Sequence, residues 1–245
     1  MTDTLRSDRG PVTFPREAVV LAGGLGTRLR AVVPDLPKPL APIQGRPFLS
    51  YLLDRLERQG VDRVVLSVGF KGDLFRRTFG DRYRDLDLVY AVEASPLGTA
   101  GGIGLGLDAI RGEAAFVLNG DTFFALSLAA MVETRERLRA EIVMGVKPMA
   151  DCRRYGRVLL SGERVVGFAE KGHPASGLIN GGVFLLPTAL RPHLRDGTSF
   201  EVDFLERRLD QWSVAALVDD GHFIDIGIPE DFAAAQSLLP AWTRS

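Results

Sequence analysis

Two short segments of this chain combine residue types that suit polyphosphate chemistry. Leu21-Ala22-Gly23-Gly24-Leu25-Gly26-Thr27-Arg28-Leu29 carries three glycines in four positions, next to an arginine. Without a Cβ in the way, backbone amides can come close to a phosphate. The segment is not a P-loop, which needs Gly-Lys-Ser/Thr at fixed spacing, and Leu29 stands where a dinucleotide fingerprint has its third glycine. Hydride chemistry loses its main support. Taken alone, the segment also reads as a tight turn with no ligand. The second segment, Pro37-Lys38-Pro39-Leu40-Ala41-Pro42, holds a lysine between prolines that restrict where its ammonium can point. A solvated lysine gains nothing from such rigidity, although Lys38 by itself also fits a polar surface loop. Arg28 and Lys38 together would put two cations beside the glycine turn, as a triphosphate requires.

Two aspartates supply the opposite charge. Phe116-Val-Leu-Asn-Gly-Asp121 is an apolar strand pattern ending in an acid, and Phe223-Ile-Asp225 is another. Open α/β sheets bind ligands at the carboxyl edge, where both acids would stand. Mg²⁺ typically takes one or two carboxylates together with phosphate oxygens and water. Either aspartate alone would be a helix cap or loop acid; with a triphosphate turn in the same chain, the pair points to metal binding.

The elements that position these residues follow from periodicity. Residues 1 to 15 are polar and aperiodic, which predicts a flexible tail, with the folded domain spanning residues 16 to 240. Continuous apolar runs at 17–22, 61–68 and 114–118 read as buried parallel strands, and 87–92 as a further strand. Between them, helical spacing predicts helices opened by Pro47 and stopped by Gly60, then at 73–79, 99–110 and 128–138. This alternation predicts a mostly parallel sheet with helices on both faces. After Glu141 the rhythm becomes β-rich, with strands at 142–147, 157–160, 165–169, 181–186 and 213–218. Helices are predicted at 201–209 and from Pro229 to about Leu239. The architecture is one α/β domain of Rossmann-like type, with a mixed sheet and a β-rich C-terminal half.

Gly23-Gly24-Leu25-Gly26-Thr27-Arg28-Leu29 followed by Pro37-Lys38-Pro39-Leu40 resembles the signature of the sugar-1-phosphate nucleotidylyltransferases, and the resemblance runs from about Arg16 to about Leu239. It implies the nucleotide-diphospho-sugar transferase fold and in-line attack by a sugar-1-phosphate oxygen on the α-phosphorus of a nucleoside triphosphate. It implies that Leu21, Gly23, Gly24, Gly26 and Thr27 bind the nucleotide, with Glu93, Gly98 and Thr99 facing its base. Arg28, Lys38 and Asp121 would be the catalytic residues, and Asp121 and Asp225 would hold Mg²⁺. A carboxylate at Glu93 can accept from the two adjacent donors of guanine, where uracil and thymine offer one, which favours GTP; an exposed acid without a role is the plainer reading.

Tyr155-Gly156, Glu170-Lys171 and Asn180-Gly181 match the family's sugar-phosphate half. Lys171 would neutralise the acceptor phosphate, Glu170 and Asn180 would bond sugar hydroxyls, and the glycines would allow close backbone approach. Three further segments, Leu66–Lys71, Ser199–Leu205 and Phe223–Phe232, resemble the subgroup that makes GDP-heptose from D-glycero-α-D-manno-heptose 1-phosphate for bacterial capsules, lipopolysaccharide or S-layer glycans. Rival readings are a mannose-1-phosphate guanylyltransferase, another uridylyl- or thymidylyltransferase, and a non-catalytic nucleotide-sugar sensor. Heptose and mannose differ by one CH(OH), which pocket shape alone resolves.

Composition agrees with a nucleotide rather than a nucleic acid as partner. The chain has 245 residues, 30 basic and 31 acidic, and a net charge of −1, so it lacks the basic excess that duplex DNA or an anionic membrane selects. No apolar stretch approaches the roughly 20 residues that cross a bilayer. The one cysteine, Cys152, cannot form an internal disulfide, and the charged N-terminus does not read as a signal peptide. These features predict a cytoplasmic enzyme; a homo-oligomer is compatible with them.

Overall fold

The computed structural model describes residues 13–24, 29, 32–69, 71–170, 172 and 176–243. After strand β1 (Glu17–Leu21) come a 3-10 turn at Lys38–Leu40, a small hairpin of β2 (Pro42–Ile43) and β3 (Arg46–Pro47), and helix α1 (Phe48–Arg58). Strand and helix then alternate through β4 (Arg63–Val68), α2 (Gly72–Phe79), the short β5 (Arg82–Tyr83), β6 (Leu86–Val92), α3 (Gly98–Leu107) and β7 (Ala114–Asn119). A three-residue β8 (Thr122–Phe124) leads to α4 (Leu128–Leu138). The second half contains β9 (Ile142–Met149), β10 (Arg157–Ser161), β11 (Arg164–Ala169), β12 (Gly177–Pro187), β13 (Val214–Val218), β14 (Phe223–Asp225) and α5 (Pro229–Trp242).

The described residues form one ten-stranded sheet in the order β10-β11-β13-β9-β12-β7-β1-β4-β6-β5. Strands β7, β1, β4 and β6 run parallel, with Val19 opposite both Val65 and Val117. Strand β12 then enters antiparallel between β7 and β9, and with it the sheet becomes mixed. Successive residues face opposite layers. Val19 and Val65 pack with Ile103 and Leu107 of α3, whereas Val20 and Leu66 pack with Phe48, Leu52 and Leu56 of α1. Each fully buried aliphatic side chain of this kind contributes about 1.5–3 kcal/mol. Helix α3 is rich in glycine because it lies directly on β1: a Cβ on Gly106 would fall 2.3 Å from a Val19 methyl.

Several expectations are corrected. Residues 1–12 lie outside the described ones, but Phe14 and Pro15 do not belong to a loose tail: Pro15 is buried, and the Phe14 ring sits 5.4 Å from that of Phe116. An aromatic ring gains enough by burial to hold the chain before β1 in place. Pro47 caps α1 from outside, and Gln59 closes that helix ahead of Gly60. The helix expected over 201–209 is a single π-helical turn, Phe200–Leu205, capped by the Ser199 hydroxyl and stiffened by stacked Phe200 and Phe204 rings. The strand expected over 181–186 begins at Gly177, and its pairing with β9 shifts between Asn180 and Phe184. Finally, β14 does not belong to the main sheet; it pairs with β8 in a two-stranded ribbon. Among the described residues, no helix is long and apolar enough to cross a membrane.

Candidate active site

A cleft of about 380 Å³ opens at the carboxyl ends of β1, β6 and β7. Its floor is the end of β1, where Leu21, Ala22, Gly23 and Gly24 leave the sheet. Ala22 N–H donates to Ser67 O (2.7 Å) and Gly120 N–H to Leu21 O (2.9 Å), so neighbouring strand ends hold this backbone from both sides. Gly23 lets Glu93 lie close, since a Cβ there would be 2.5 Å from a Glu93 carboxylate oxygen and 3.2 Å from Gly69 N. Glu93 and the glycine turn are therefore in direct contact across the cleft. The other Glu93 oxygen accepts from Leu97 N–H at 3.2 Å, which fixes the carboxylate on its loop. Gly26, Thr27 and Arg28 lie outside the described residues.

Lys38 begins the 3-10 turn, between Pro37 and a buried Pro39. The turn closes with Leu40 N–H donating to Pro37 O (2.8 Å) and Ala41 N–H to Lys38 O (2.9 Å). The ammonium so placed is largely buried and donates to Asp121 Oδ2 at 2.9 Å. The sequence suggested a lysine beside phosphates; the structure adds that Lys38 is paired with one of the two candidate metal aspartates.

Asp121 stands two residues beyond β7, and Asp225 ends β14. The β8–β14 ribbon unites them: Thr122 is opposite Asp225, and Ile226 N–H donates to the Asp121 carbonyl at 3.0 Å. Burial pushes the Asp225 carboxyl above its ordinary value, and the Asp121 charge pushes it further the same way. Gly227 N–H, donating to Asp225 Oδ1 at 2.7 Å, and the Lys38 and Arg154 charges oppose this. Two neighbouring carboxylates, whose repulsion Lys38 and Arg154 offset only in part, are the oxygen-only donor set that a hard divalent cation suits. The described residues hold no cluster of three or more metal-ligating side chains.

Tyr155 adjoins this acidic pair. Its ring packs edge-on to Phe223, and burial followed by the Asp225 charge pushes its phenol up to about 12. Arg154 lies over that ring, 5.4 Å from its centroid, and pairs with Asp231 at 2.7 Å. Gly156 follows, immediately before β10. Glu170 is exposed immediately after β11, and Lys171 lies outside the described residues.

Gly98 and Thr99 line the cleft, but their residue types are set by docking to residues 197–200. Gly98 has φ +67°, and a Cβ on it would lie 2.5 Å from Thr198 O. Thr99 Oγ1 accepts from Phe200 N–H at 2.8 Å. Gly181 also has a reason other than the one expected. It is buried, and a Cβ there would lie 2.4 Å from the Phe124 ring, so packing alone already calls for glycine. Asn180 has a side-chain partner on each end: its oxygen accepts from Gly182 N–H (2.9 Å) and its amide donates to Glu201 Oε1 (3.2 Å).

Sequence reasoning passed over two residues. Asn119 ends β7 and lines the cleft; it stood inside the motif that yielded Asp121. Glu201 presents a carboxylate to Asn180 and to the Ser199 hydroxyl (3.3 Å), from a turn whose next backbone neighbour holds Thr99. Its signal was the Ser199–Leu205 segment, read only for its resemblance.

Comparison with known proteins identifies the family. Residues 17–241 match the model of the family described as nucleotidyl transferase. The chain is 42% identical over 225 residues to the D-glycero-alpha-D-manno-heptose 1-phosphate guanylyltransferase of Aneurinibacillus thermoaerophilus, covering 91% of this chain and 98% of that one. It is 38% identical to the protein of the same name from Campylobacter jejuni, covering 88% and 96%. Among solved structures, HddC from Yersinia pseudotuberculosis superposes with a TM-score of 0.82 at 36% identity over 90% of this chain and 97% of that one. The same protein complexed with GMP-PN superposes with a TM-score of 0.79.

Proposed function

The chain belongs to the nucleotidyl transferase family, and from that premise we propose that it transfers GMP from GTP to D-glycero-α-D-manno-heptose 1-phosphate, releasing pyrophosphate and GDP-heptose. The observation that carries the nucleotide half is the contact of Glu93 with Gly23 in one cleft with Lys38 and Asp121. A fixed carboxylate accepts from the N1–H and 2-amino group of guanine, while the glycine turn and Lys38 face the phosphates. The heptose is supported by two relatives of that name, each matched over nearly its full length. We assign the product to bacterial surface polysaccharide synthesis and the reaction to the cytoplasm.

The acceptor phosphate oxygen attacks the α-phosphorus in line with the departing pyrophosphate, so no side-chain nucleophile is needed and catalysis rests on position and charge. Lys38, with Arg28, stabilises charge on the leaving group, and Lys171 holds the acceptor phosphate. Asp121 and Asp225 would hold Mg²⁺, which when bound neutralises phosphate charge. Lys38, paired with Asp121 at 2.9 Å, sets its ammonium between the metal carboxylate and the phosphates. On the acceptor side, Tyr155 supplies a neutral hydroxyl and an aromatic wall, Asn180 and Glu201 form a polar pair for sugar hydroxyls, and Glu170 borders the opening.

The test is a matrix of GTP, UTP, dTTP, CTP and ATP against heptose, mannose, glucose and N-acetylglucosamine 1-phosphates, read by pyrophosphate release. The expected result is highest kcat/KM for GTP with the heptose. Preference for UTP or dTTP refutes the role given to Glu93, preference for mannose 1-phosphate refutes the sugar, and failure with every pair refutes turnover itself.

A further inference from the structure

A second concavity, of about 300 Å³, shares no lining residue with the nucleotide cleft. Arg195, Arg207 and Arg208 line it together with a single carboxylate, Asp203. That carboxylate is already engaged: one oxygen accepts from Ser199 N–H at 2.9 Å, and the other faces Arg207 at 3.4 Å. The Arg195 guanidinium has no ion-pair partner among the described residues. Arg208 lies across the Phe204 ring, 5.4 Å from its centroid, and its Nη1 reaches Gln211 at 3.3 Å. In a chain whose net charge is −1, the lining has a local excess of two positive charges beside the Phe204 and His193 rings, which Trp212 backs from behind. Arginine forks match phosphate oxygens, and the volume is that of a small-molecule site.

The walls of this concavity are joined to the nucleotide cleft. Thr198 lines the concavity, and its carbonyl accepts from Ala100 N–H at 3.0 Å. Gly197 N–H donates to Leu97 O at 2.6 Å and Phe200 N–H to Thr99 Oγ1 at 2.8 Å. Residues 97–100, which include the cleft residues Gly98 and Thr99, are therefore held by the segment that Asp203 braces through Ser199. A ligand that draws Arg207 away from Asp203 acts on that brace.

We propose that this concavity is a second, regulatory anion site that takes a small molecule bearing a pyrophosphate group and conveys its occupancy to the nucleotide cleft through the contact between residues 97–100 and 197–200. Inorganic pyrophosphate and a nucleoside diphosphate share that chemistry. The site is independent of which sugar the enzyme accepts.

The test uses the full chain with Trp242→Phe, which leaves Trp212, beside the concavity, as the one tryptophan of two that remains. Inorganic pyrophosphate, GDP and orthophosphate are titrated in turn, followed by Trp212 emission and by calorimetry. The expected result is two binding sites for pyrophosphate or GDP, with Arg207→Ala/Arg208→Ala removing one of them or weakening it at least tenfold. In that double variant competitive inhibition by pyrophosphate against the nucleotide persists, and a circular dichroism melt matches the parent. Pyrophosphate is further expected to alter amide exchange over residues 97–107 in the parent, and the part of that change that depends on the second site disappears in the double variant. Equal stoichiometry and affinity in parent and double variant would overturn the site, and an exchange response unaffected by the double substitution would overturn the coupling. Orthophosphate binding as tightly as pyrophosphate overturns the ligand class. If pyrophosphate alone binds and GDP does not, the inorganic ion is the source; if GDP binds more tightly, it is the nucleotide.

Discussion

Gly181→Ala separates a packing role from a ligand role at one position. An added Cβ would lie 2.4 Å from Phe124 Cδ1 and 2.5 Å from Cε1, against an ordinary carbon–carbon contact of about 3.5–4.0 Å. The ring must move by roughly 1 Å. Phe124 is only 3% exposed and cannot escape to solvent. Overpacking of this kind costs about 1–3 kcal/mol. In a chain of this size each kcal/mol shifts the melting temperature by about 2–4 °C, so a fall of roughly 2–12 °C is expected. The displacement also travels, because Phe124 packs edge-on to Phe223 at 5.7 Å, in the ribbon that carries Asp225. Misplacing a reacting group by about 1 Å can cost up to about a hundredfold in rate, and a fall in kcat of at least tenfold is expected here. Calorimetric melts and pyrophosphate release read the two effects. Phe124→Leu provides the control: its flexible branch can turn away, so Gly181→Ala should be about 1 kcal/mol less costly in that background. A variant that melts with the parent but shows a raised KM for the sugar phosphate would refute the packing argument and return Gly181 to the ligand.

Three further outcomes follow from the geometry. Lys38→Ala removes the cation from the cleft and leaves Asp121 unpaired, so kcat should fall at least about a hundredfold; turnover within fivefold of the parent contradicts the assignment. Asp225→Asn keeps an acceptor for Gly227 N–H but removes one member of the acidic pair, so metal-dependent pyrophosphate release should be lost while the circular dichroism spectrum is unchanged; full activity in this variant would exclude Asp225 as a metal ligand. All four tyrosines have raised phenol pKa values, Tyr90 and Tyr155 to about 12, chiefly through burial. Unfolded phenols release their protons near about 10, so the unfolded state binds fewer protons above that pH and stability declines as pH rises from about 10 towards 12. Phenolate absorbance of the folded protein should accordingly lag behind that of the protein in denaturant; a tyrosine that titrates normally before unfolding contradicts the burial.

Long periodic elements were legible because their patterns are set by burial alone. Helix α4 occupies the residues its spacing predicts, and β1, β4 and β7 coincide with apolar runs because parallel strands are covered on both faces. The ribbon was not legible: two strands of three residues carry too little pattern, and their pairing is decided by residues a hundred positions away. The π-helical turn shares its four-residue aromatic spacing with an α-helix, so Phe200 and Phe204 gave the right face and the wrong length. Motif glycines were found readily but their reasons were not, since Gly98 and Gly181 answer to Thr198 and Phe124. Glu201 was missed because an acid beside a hydrophobic turn is common on protein surfaces. Only the tertiary contact with Asn180 distinguishes it.

The β8–β14 ribbon also ties catalysis to the order in which the chain is completed. In the chain its two strands lie on either side of α4, β9, β10, β11, β12 and β13, so Asp121 and Asp225 meet only through a contact of long sequence separation. Closing so long a loop is entropically costly and slow, and that cost is met only once the intervening strands are in the sheet. A nascent or C-terminally truncated chain can therefore form the glycine turn and β7 yet lack the second carboxylate. Catalytic competence is therefore expected late in folding, with recovery of activity during refolding trailing recovery of secondary structure.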